Sequence, residues 1–341
     1  MRRLLVPILL CLMVACAPRA AFEPAERDAP GTVREMLIAT NRTPSASPLA
    51  LGPGRGTALA FGRIDVSIPE DHRPGDLSIA DAPGAAGFAV AGASALDVAG
   101  FRAAIRAGRP GAGQETVIFV HGYNNTPAEA VYRHAQMAVD FGLTGPQVTF
   151  VWPSNAQPLG YVHDRDSVLQ ARDALADLIA DTARTSRGRV VVVGHSMGAF
   201  LVMETLRGMG LSDRVPPLAA IVLLSPDIDQ SLFETQLARI APRPDAFVVA
   251  IDREDRVLRL SSRLAGAGRR LGSAADVNRL RALGITVLDL SGIGDGGHQT
   301  SMASPAAISL LRGLRRSGLP AEGVVDAATL LRATGGAVLR P

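Results

Sequence analysis

Four valines at positions 190–193, followed at once by Gly194-His195-Ser196-Met197-Gly198, are the sequence feature that most limits the fold. A continuous apolar run is typical of a strand that is buried on both faces, as in parallel sheets. A second apolar run, residues 199–203, predicts that a helix begins directly afterwards. A serine between two glycines at such a strand-to-helix turn is the context of a nucleophile elbow, which makes Ser196 the candidate nucleophile. The alternative is an ordinary loop with a solvated serine.

Another buried strand is predicted at residues 116–120, and it leads into His121-Gly122-Tyr123-Asn124-Asn125. Pro127 then opens an amphipathic helix that extends to about residue 141. In proteins with a nucleophile elbow, a loop in this place donates one backbone N–H to the oxyanion hole, and the residue after the nucleophile donates the other. The predicted donors are therefore the amides of Tyr123 and Met197.

The candidate base is His298, which is the only histidine after the candidate nucleophile. It follows a predicted strand, residues 285–290, and a glycine-rich loop, residues 292–297. Such a flexible loop can carry an imidazole to a serine that is distant in the sequence. The alternative is a histidine in a surface loop. His121 precedes the serine, and we interpret it as a residue that shapes the oxyanion loop.

Three carboxylates close to the end of a predicted strand, residues 247–251, compete for the role of triad acid: Asp252, Glu254 and Asp255. Asp255 is favoured, because a few loop residues usually separate the strand end from the acid that reaches the histidine. Asp252 and Asp227 remain alternatives, and Asp229 is predicted to cap a helix. The order serine, aspartate, histidine along the chain is that of α/β-hydrolases and differs from both major serine-protease orders.

Further motifs along the chain support a resemblance to a known family, and they include Ala39-Thr40-Asn41-Arg42, Phe61-Gly62-Arg63, Trp152-Pro153-Ser154 and Ser225-Pro226-Asp227-Ile228-Asp229. Over about residues 36–315 the chain resembles a bacterial α/β-hydrolase family of uncharacterised function, lipase- or esterase-like. The resemblance implies an α/β-hydrolase fold, with a mostly parallel central sheet and helices on both faces. It also implies a Ser–Asp–His hydrolase with Ser196, Asp255 and His298 at the matching positions. It implies no particular substrate.

The N-terminus has the features of a secretory signal. Arg2-Arg3 precedes an apolar stretch of about 13 residues that ends in Met13-Val14-Ala15-Cys16. This stretch is shorter than the ~20 residues that a membrane-spanning helix needs. The last four residues resemble a bacterial lipobox, in which Cys16 is lipidated and becomes the first residue of the mature protein. Met13 stands where leucine is usual, so plain secretion is the alternative.

A lipidated Cys16 predicts attachment to the bacterial cell envelope at its periplasmic face. Ala17 in place of aspartate resembles lipoproteins that are passed on to the outer membrane, where the host has one. The expected organisation is a signal peptide with lipobox over residues 1–16, a Pro/Ala-rich tether over residues 17–33 and a single α/β-hydrolase domain over residues 34–341.

Composition limits the partners. Of the 341 residues, 47% are hydrophobic and 20% are charged, which suits one large globular core. The net charge of +3 is not concentrated in a basic tract, so no nucleic-acid partner is expected. Metal-binding spacings such as HExxH are missing from the sequence, so neither a metal nor an organic cofactor is expected. The expected partners are a small ester or lipid substrate and, through the N-terminal lipid, the membrane. The oligomeric state is open.

The sequence therefore predicts a serine hydrolase, a carboxylesterase or lipase that acts through an acyl-enzyme. A peptidase or a thioesterase with the same three residues is an alternative, because fold and triad do not select a substrate. A further alternative is a protein of the cell envelope that binds without catalysis.

Overall fold

The computed structural model describes residues 19–26, 31–43, 51–108, 114–187, 189–264, 269–293, 297–317 and 324–326. The predicted signal peptide and Cys16 lie outside these residues. Within them, no helix is long and apolar enough to cross a membrane.

One sheet of ten strands organises the described part of the chain. In chain order the strands are β1 (Gly31–Arg42), β2 (Arg55–Pro69), β3 (Ala89–Leu96), β4 (Thr116–Val120), β5 (Gln147–Val151), β6 (Val190–His195), β7 (Ala220–Leu224), β8 (Ala246–Ile251), β9 (Thr286–Asp289) and β10 (Val324–Asp326). Across the sheet their order is β10-β9-β8-β7-β6-β4-β5-β1-β2-β3. Every neighbouring pair from β10 to β1 is parallel, and only the pairs β1–β2 and β2–β3 are antiparallel. The predicted mostly parallel sheet is confirmed.

Helices connect the strands. In chain order they are α1 (Val98–Ala107), α2 (Pro127–Asp140), α3 (Tyr161–Thr185), α4 (Met197–Leu211), α5 (Gln230–Leu237), α6 (Arg256–Leu264), α7 (Leu271–Ala274), α8 (Val277–Ala282), α9 (Thr300–Ala303) and α10 (Pro305–Ser317). Thr126 begins α2 with a capping box that it forms with Glu129.

The alternation of side chains along β6 shows why helices lie on both faces of the sheet. Val190 and Val192 pack into one apolar cluster, which also contains buried residues of α1, α3, α4 and α5. Val191 and Val193 pack into a second cluster, with residues of α2, α9 and α10. Because both faces of β6 are covered, its sequence is apolar throughout rather than alternating. The predicted layer of helices on each face is confirmed.

Part of the predicted tether belongs to the domain. Residues 31–33 lie in β1, so the boundary expected at residue 34 falls inside a strand. Glu23 and Ala25 exchange backbone hydrogen bonds with Val90 at the start of β3, each 2.8 Å long. These residues of the predicted tether therefore make hydrogen bonds to the edge of the sheet.

Candidate active site

The turn between β6 and α4 places Ser196 in a strained conformation. Its backbone angles are φ 53° and ψ −120°, in a region that residues other than glycine rarely occupy. A Cβ at Gly194 would lie 2.7 Å from the Cα of Ala199, and one at Gly198 would lie 2.3 Å from the carbonyl oxygens of Val120 and His121. Both glycines are therefore required by the close approach of backbone, as the sequence pattern indicates for a nucleophile elbow.

Three predicted site residues form a continuous chain of hydrogen bonds. The Nε2 atom of His298 lies 2.7 Å from the Oγ atom of Ser196, and its Nδ1 atom lies 2.6 Å from the Oδ2 atom of Asp255. An ionised carboxylate can only accept, so the Nδ1–H group of the imidazole donates to Asp255 and its Nε2 atom accepts from the serine hydroxyl. The three residues come from the β6–α4 turn, the loop after β8 and the loop after β9, and the fold brings them together.

Asp255 is held on both sides. Its carboxyl group is fully buried, and its second oxygen, Oδ1, accepts hydrogen bonds from the amides of Val257 at 2.9 Å and Leu258 at 3.0 Å. These amides belong to the first turn of α6, whose unpaired N–H groups favour a negative charge. One carboxylate oxygen is thereby fixed by the helix, while the other is directed at His298.

The competing carboxylates have other partners in the described structure. Asp227 accepts hydrogen bonds from the hydroxyls of Ser261 and Tyr161, both at 2.8 Å. It also lies 3.2 Å from the Nε atom of Arg270. Asp229 caps α5 as predicted, because its side chain accepts from the amides of residues 231 and 232.

Asp252 supports the site indirectly. Its Oδ1 atom accepts from the amide of Glu254 at 2.9 Å, and its side chain also bonds to Thr300, two residues after His298. Burial raises the pKa of Asp252, and these hydrogen bonds oppose the shift. Asp252 thus links the loop that carries Asp255 with the segment that carries His298.

The predicted oxyanion loop lies directly against the serine. A Cβ at Gly122 would lie 3.1 Å from the Cβ of Ser196 and 2.9 Å from the Nδ1 atom of His195, so only glycine fits there. Tyr123 follows in this loop, and its hydroxyl is within hydrogen-bond distance of the carbonyls of Gln157 and Pro158. Met197 is the first residue of α4 and is fully buried. Its amide is among the N-terminal N–H groups that a helix leaves free for a ligand.

His121 is a structural residue in this loop. Its ring is stacked on Trp152 at a centroid distance of 4.8 Å, and the indole Nε1–H donates to the His121 carbonyl at 2.8 Å. Burial lowers the pKa of His121 to about 4, so the imidazole is neutral near pH 7. These contacts agree with its interpretation as a residue that shapes the loop.

Sequence reasoning missed His195 as a support for the candidate base. The Nε2 atom of His195 lies 3.2 Å from the backbone carbonyl of His298, and the two rings lie 4.9 Å apart. Burial and the nearby His298 lower the pKa of His195 well below its ordinary value, so it is neutral. A carbonyl can only accept, so the Nε2–H group of His195 donates to it and holds the backbone of the loop.

Two further residues that sequence reasoning missed, Arg19 and Asp164, make hydrogen bonds to the oxyanion loop. Arg19 donates to the side-chain oxygen of Asn124 at 2.8 Å and to its carbonyl at 2.6 Å, and it forms an ion pair with Glu129 at 2.6 Å. Asp164 is fully buried and accepts from the Asn124 amide at 3.2 Å and from the Ser154 hydroxyl at 2.6 Å. Asn124 itself has φ 57°, so these contacts stabilise an uncommon backbone conformation next to Tyr123.

The described residues contain no group of three or more His, Cys, Asp or Glu side chains that could hold a metal ion.

Residues 104–315, more than half of the chain, match the model of a family described as an alpha/beta hydrolase of unknown function (DUF900). The chain belongs to this family. The predicted α/β-hydrolase fold is thereby confirmed, and family and fold together support a hydrolase.

Individual proteins resemble this chain over a short stretch or at low sequence identity. An uncharacterized protein of Nostoc sp. is 43% identical over 61 residues, which are 17% of this chain and 16% of that protein, so the match spans only a small part of its length. Among solved structures, lipase B of Aspergillus fumigatus is 19% identical, with a TM-score of 0.43 over 80% of this chain and 68% of the lipase. A hyperthermophilic esterase of the archaeon Pyrobaculum calidifontis is 15% identical, with a TM-score of 0.40 over 86% of this chain and 87% of the esterase.

Proposed function

We propose that this DUF900 hydrolase is a serine hydrolase that cleaves carboxylic esters through an acyl-enzyme. The observation that carries the proposal is the chain of hydrogen bonds from the Ser196 hydroxyl through His298 to the buried Asp255. A hydroxyl is a weak nucleophile unless a base removes its proton, and the base must itself be oriented by a third group. A hydroxyl, a base in contact with it and a carboxylate that orients the base are present at the turn where the serine is strained, and this arrangement supports the proposal.

In the proposed mechanism, the Nε2 atom of His298 takes the hydroxyl proton as the Oγ atom of Ser196 attacks the ester carbonyl. Asp255 accepts the Nδ1–H hydrogen bond throughout and stabilises the imidazolium. The amides of Tyr123 and Met197 donate to the oxyanion of the tetrahedral intermediate.

The intermediate collapses when the C–O bond to the alcohol breaks and His298 returns the proton to the leaving oxygen. The acyl group then remains on Ser196. Water, deprotonated by the same imidazole, attacks the acyl-enzyme and releases the carboxylic acid, which restores the serine hydroxyl.

Reaction with a fluorophosphonate probe tests this proposal, because such probes label an activated serine covalently. We expect the protein without residues 1–16 to be labelled on Ser196 and to hydrolyse p-nitrophenyl esters faster than matched thioesters or peptide anilides. A protein that is not labelled and has no turnover would be the non-catalytic binding protein instead. Faster cleavage of thioesters or anilides would assign the same residues to a thioesterase or a peptidase.

Arg19 is expected to support turnover from outside the chemical step. Arg19→Gln removes the ion pair with Glu129 and weakens the contacts to Asn124, so the amide of Tyr123 loses part of its alignment. We expect kcat for p-nitrophenyl butyrate to fall about tenfold with a smaller change in KM, because small misplacements of donors are costly in the transition state. Arg63→Gln is the matched control, since Arg63 pairs with Asp65 on the exposed side of β2. Equal losses in both variants would show that Arg19 has no specific role in the site.

We also propose that the enzyme is anchored to the cell envelope by lipid on Cys16. Cys16→Ser is expected to abolish labelling with radioactive palmitate and to leave an unprocessed precursor. The wild-type protein is expected to take up label and to sediment with salt-washed membranes, because two or more acyl chains bind stably. Cys11→Ser is the matched control, since Cys11 would be removed with the signal, and it should keep the label. Label on the Cys16→Ser protein, or a wild-type protein that is fully soluble, would indicate an ordinary cleaved signal.

A further inference from the structure

A polar cavity of about 320 Å³ lies beside the candidate nucleophile, between α2 and α9. Its wall includes Gly122, whose position directly adjoins Ser196, and His195, which precedes the serine. It also includes Gln299, the residue after His298. The cavity therefore touches the oxyanion loop, the elbow and the loop of the candidate base.

The charges in this wall do not cancel. Arg19 and Glu129 neutralise each other through their ion pair at 2.6 Å. His195 and His121 are neutral, since burial lowers the pKa of both. The remaining charged group of the wall is the guanidinium of Arg133, on α2.

Arg133 has amide partners where an arginine in such a place usually has a carboxylate. Its Nη1 atom donates to the Oε1 atom of Gln136 at 2.8 Å, and its Nη2 atom donates to the Oε1 atom of Gln299. It forms no ion pair with any carboxylate among the described residues. Both partners are uncharged, so they orient the guanidinium without a counter-charge in contact with it. The carboxylates of Asp140 and Asp76 favour the charged form of Arg133 but form no ion pair with it.

Burial lowers the pKa of Arg133 to about 10, so the side chain still carries its charge at neutral pH. Removing a charge from water is costly unless an opposite charge replaces the lost solvation. A guanidinium has five N–H donors, of which these two bonds use two, and its planar fork matches carboxylate and phosphate oxygens. An anionic group in the cavity would supply a counter-charge in direct contact with Arg133, and acceptors for its remaining N–H groups.

We propose that this cavity binds an oxyanion, a carboxylate or phosphate group of the substrate, through Arg133. The inference rests on the proposed ester hydrolysis and narrows its substrate class to esters that carry a negative charge away from the scissile bond. Gln299 connects the subsite to His298, so the bound anion and the reacting carbonyl are held by adjoining segments.

Matched p-nitrophenyl esters test the charge preference. The hydrogen adipate ester and the hexanoate ester have acyl chains of equal length and differ in the terminal carboxylate, and the 5-phosphonopentanoate ester presents a phosphonate in its place. We expect kcat/KM to be at least about tenfold higher for one anionic ester than for the hexanoate ester. The reason is that a hydrogen bond to a charged group stabilises a complex by about this factor or more. The preferred anionic ester identifies carboxylate or phosphate as the natural group.

Arg133→Gln should bring the ratio of anionic to neutral kcat/KM close to one, and Arg133→Lys should keep part of it. Arg184→Gln, at the exposed end of α3, is the matched control and should keep the full ratio. A wild-type ratio near one, or a ratio that Arg133→Gln does not change, would overturn the subsite.

Binding of inorganic phosphate or succinate to the Ser196→Ala protein separates this inference from the proposed function. One of the two anions, at ten times its Kd, should raise the Tm by about 1–3 °C, and the shift should disappear when Arg133→Gln is added. The wild-type protein could hydrolyse no ester while the Ser196→Ala protein shows a Tm shift that depends on Arg133. This result would support the anion site and reject the proposed ester hydrolysis. Ester hydrolysis without any such shift or charge preference would reject the anion site alone.

Discussion

Ser196→Ala is expected to lower kcat for p-nitrophenyl butyrate by a factor of about 10⁴ or more. The hydroxyl oxygen is the proposed nucleophile, and without it His298 and Asp255 have no proton to move, so the three residues lose their effect together. The oxyanion donors and substrate binding remain and leave a small residual rate. Single-turnover kinetics with the purified variant, with intact-mass analysis for an acyl adduct, measures the loss.

The fold should tolerate this change. Alanine keeps the Cβ, so the strained backbone at φ 53° is unaltered, and the far-UV spectrum and Tm should stay close to those of the wild type. Ser196→Gly is a useful companion variant, because glycine relieves the strain of a positive φ, worth about 1–3 kcal/mol. It should be equally inactive but more stable in urea. Turnover near the wild-type level in either variant would exclude Ser196 as the nucleophile.

The central part of the fold is predictable from the sequence because its strands are buried on both faces. Runs such as residues 190–193 and 247–251 are apolar without alternation, and each is followed by a turn and a helix. The antiparallel edge of the sheet, formed by β1, β2 and β3, is harder to predict. β1 and β2 extend past their apolar centres into exposed residues, for example Val33, which is 58% exposed. β3 consists largely of Ala and Gly, whose small side chains give almost no hydrophobic pattern.

The residues of the candidate site also fall into two groups, those that the sequence indicates and those that it does not. Ser196, His298 and Asp255 could be placed because each follows a strand, and the carboxyl ends of parallel strands meet at one edge of the sheet. Arg19 could not be placed, since its contact with Asn124 joins residues 105 positions apart and its Pro/Ala-rich surroundings predict a linker. Asp164 has the same difficulty, because an acidic residue on a surface helix ordinarily faces solvent, yet Asp164 is fully buried. Contacts of this kind depend on tertiary structure and leave no local signal.

His195 and Arg133 show a different limit. His195 lies inside the nucleophile-elbow motif, but the motif does not show which face of the sheet its ring is on. In the structure, side chains alternate along β6, and the ring of His195 lies on the same face as α2 and α9. Arg133 lies on α2, whose apolar face is evident from the sequence. Its contact with Gln299 joins residues that are distant in the sequence and forms only in the folded chain. The charge of a cavity depends on the folded chain, so the proposed anion subsite could not be inferred from a net charge of +3.

Asp255→Asn is expected to lower kcat/KM for p-nitrophenyl esters by up to about 10⁴, whereas Asp252→Asn should cost about tenfold or less. An asparagine at position 255 can keep the bonds from the amides of α6 through its Oδ1 atom, so the loop should stay folded. Its NH₂ group would then face the Nδ1 atom of His298 and favour the tautomer that carries its proton on Nε2, which cannot accept the serine proton. Asp252 bonds to Glu254 and Thr300, contacts that an amide can largely retain. Tm values should separate lost chemistry from lost folding, and a larger loss in Asp252→Asn or Asp227→Asn would transfer the role of triad acid to that residue.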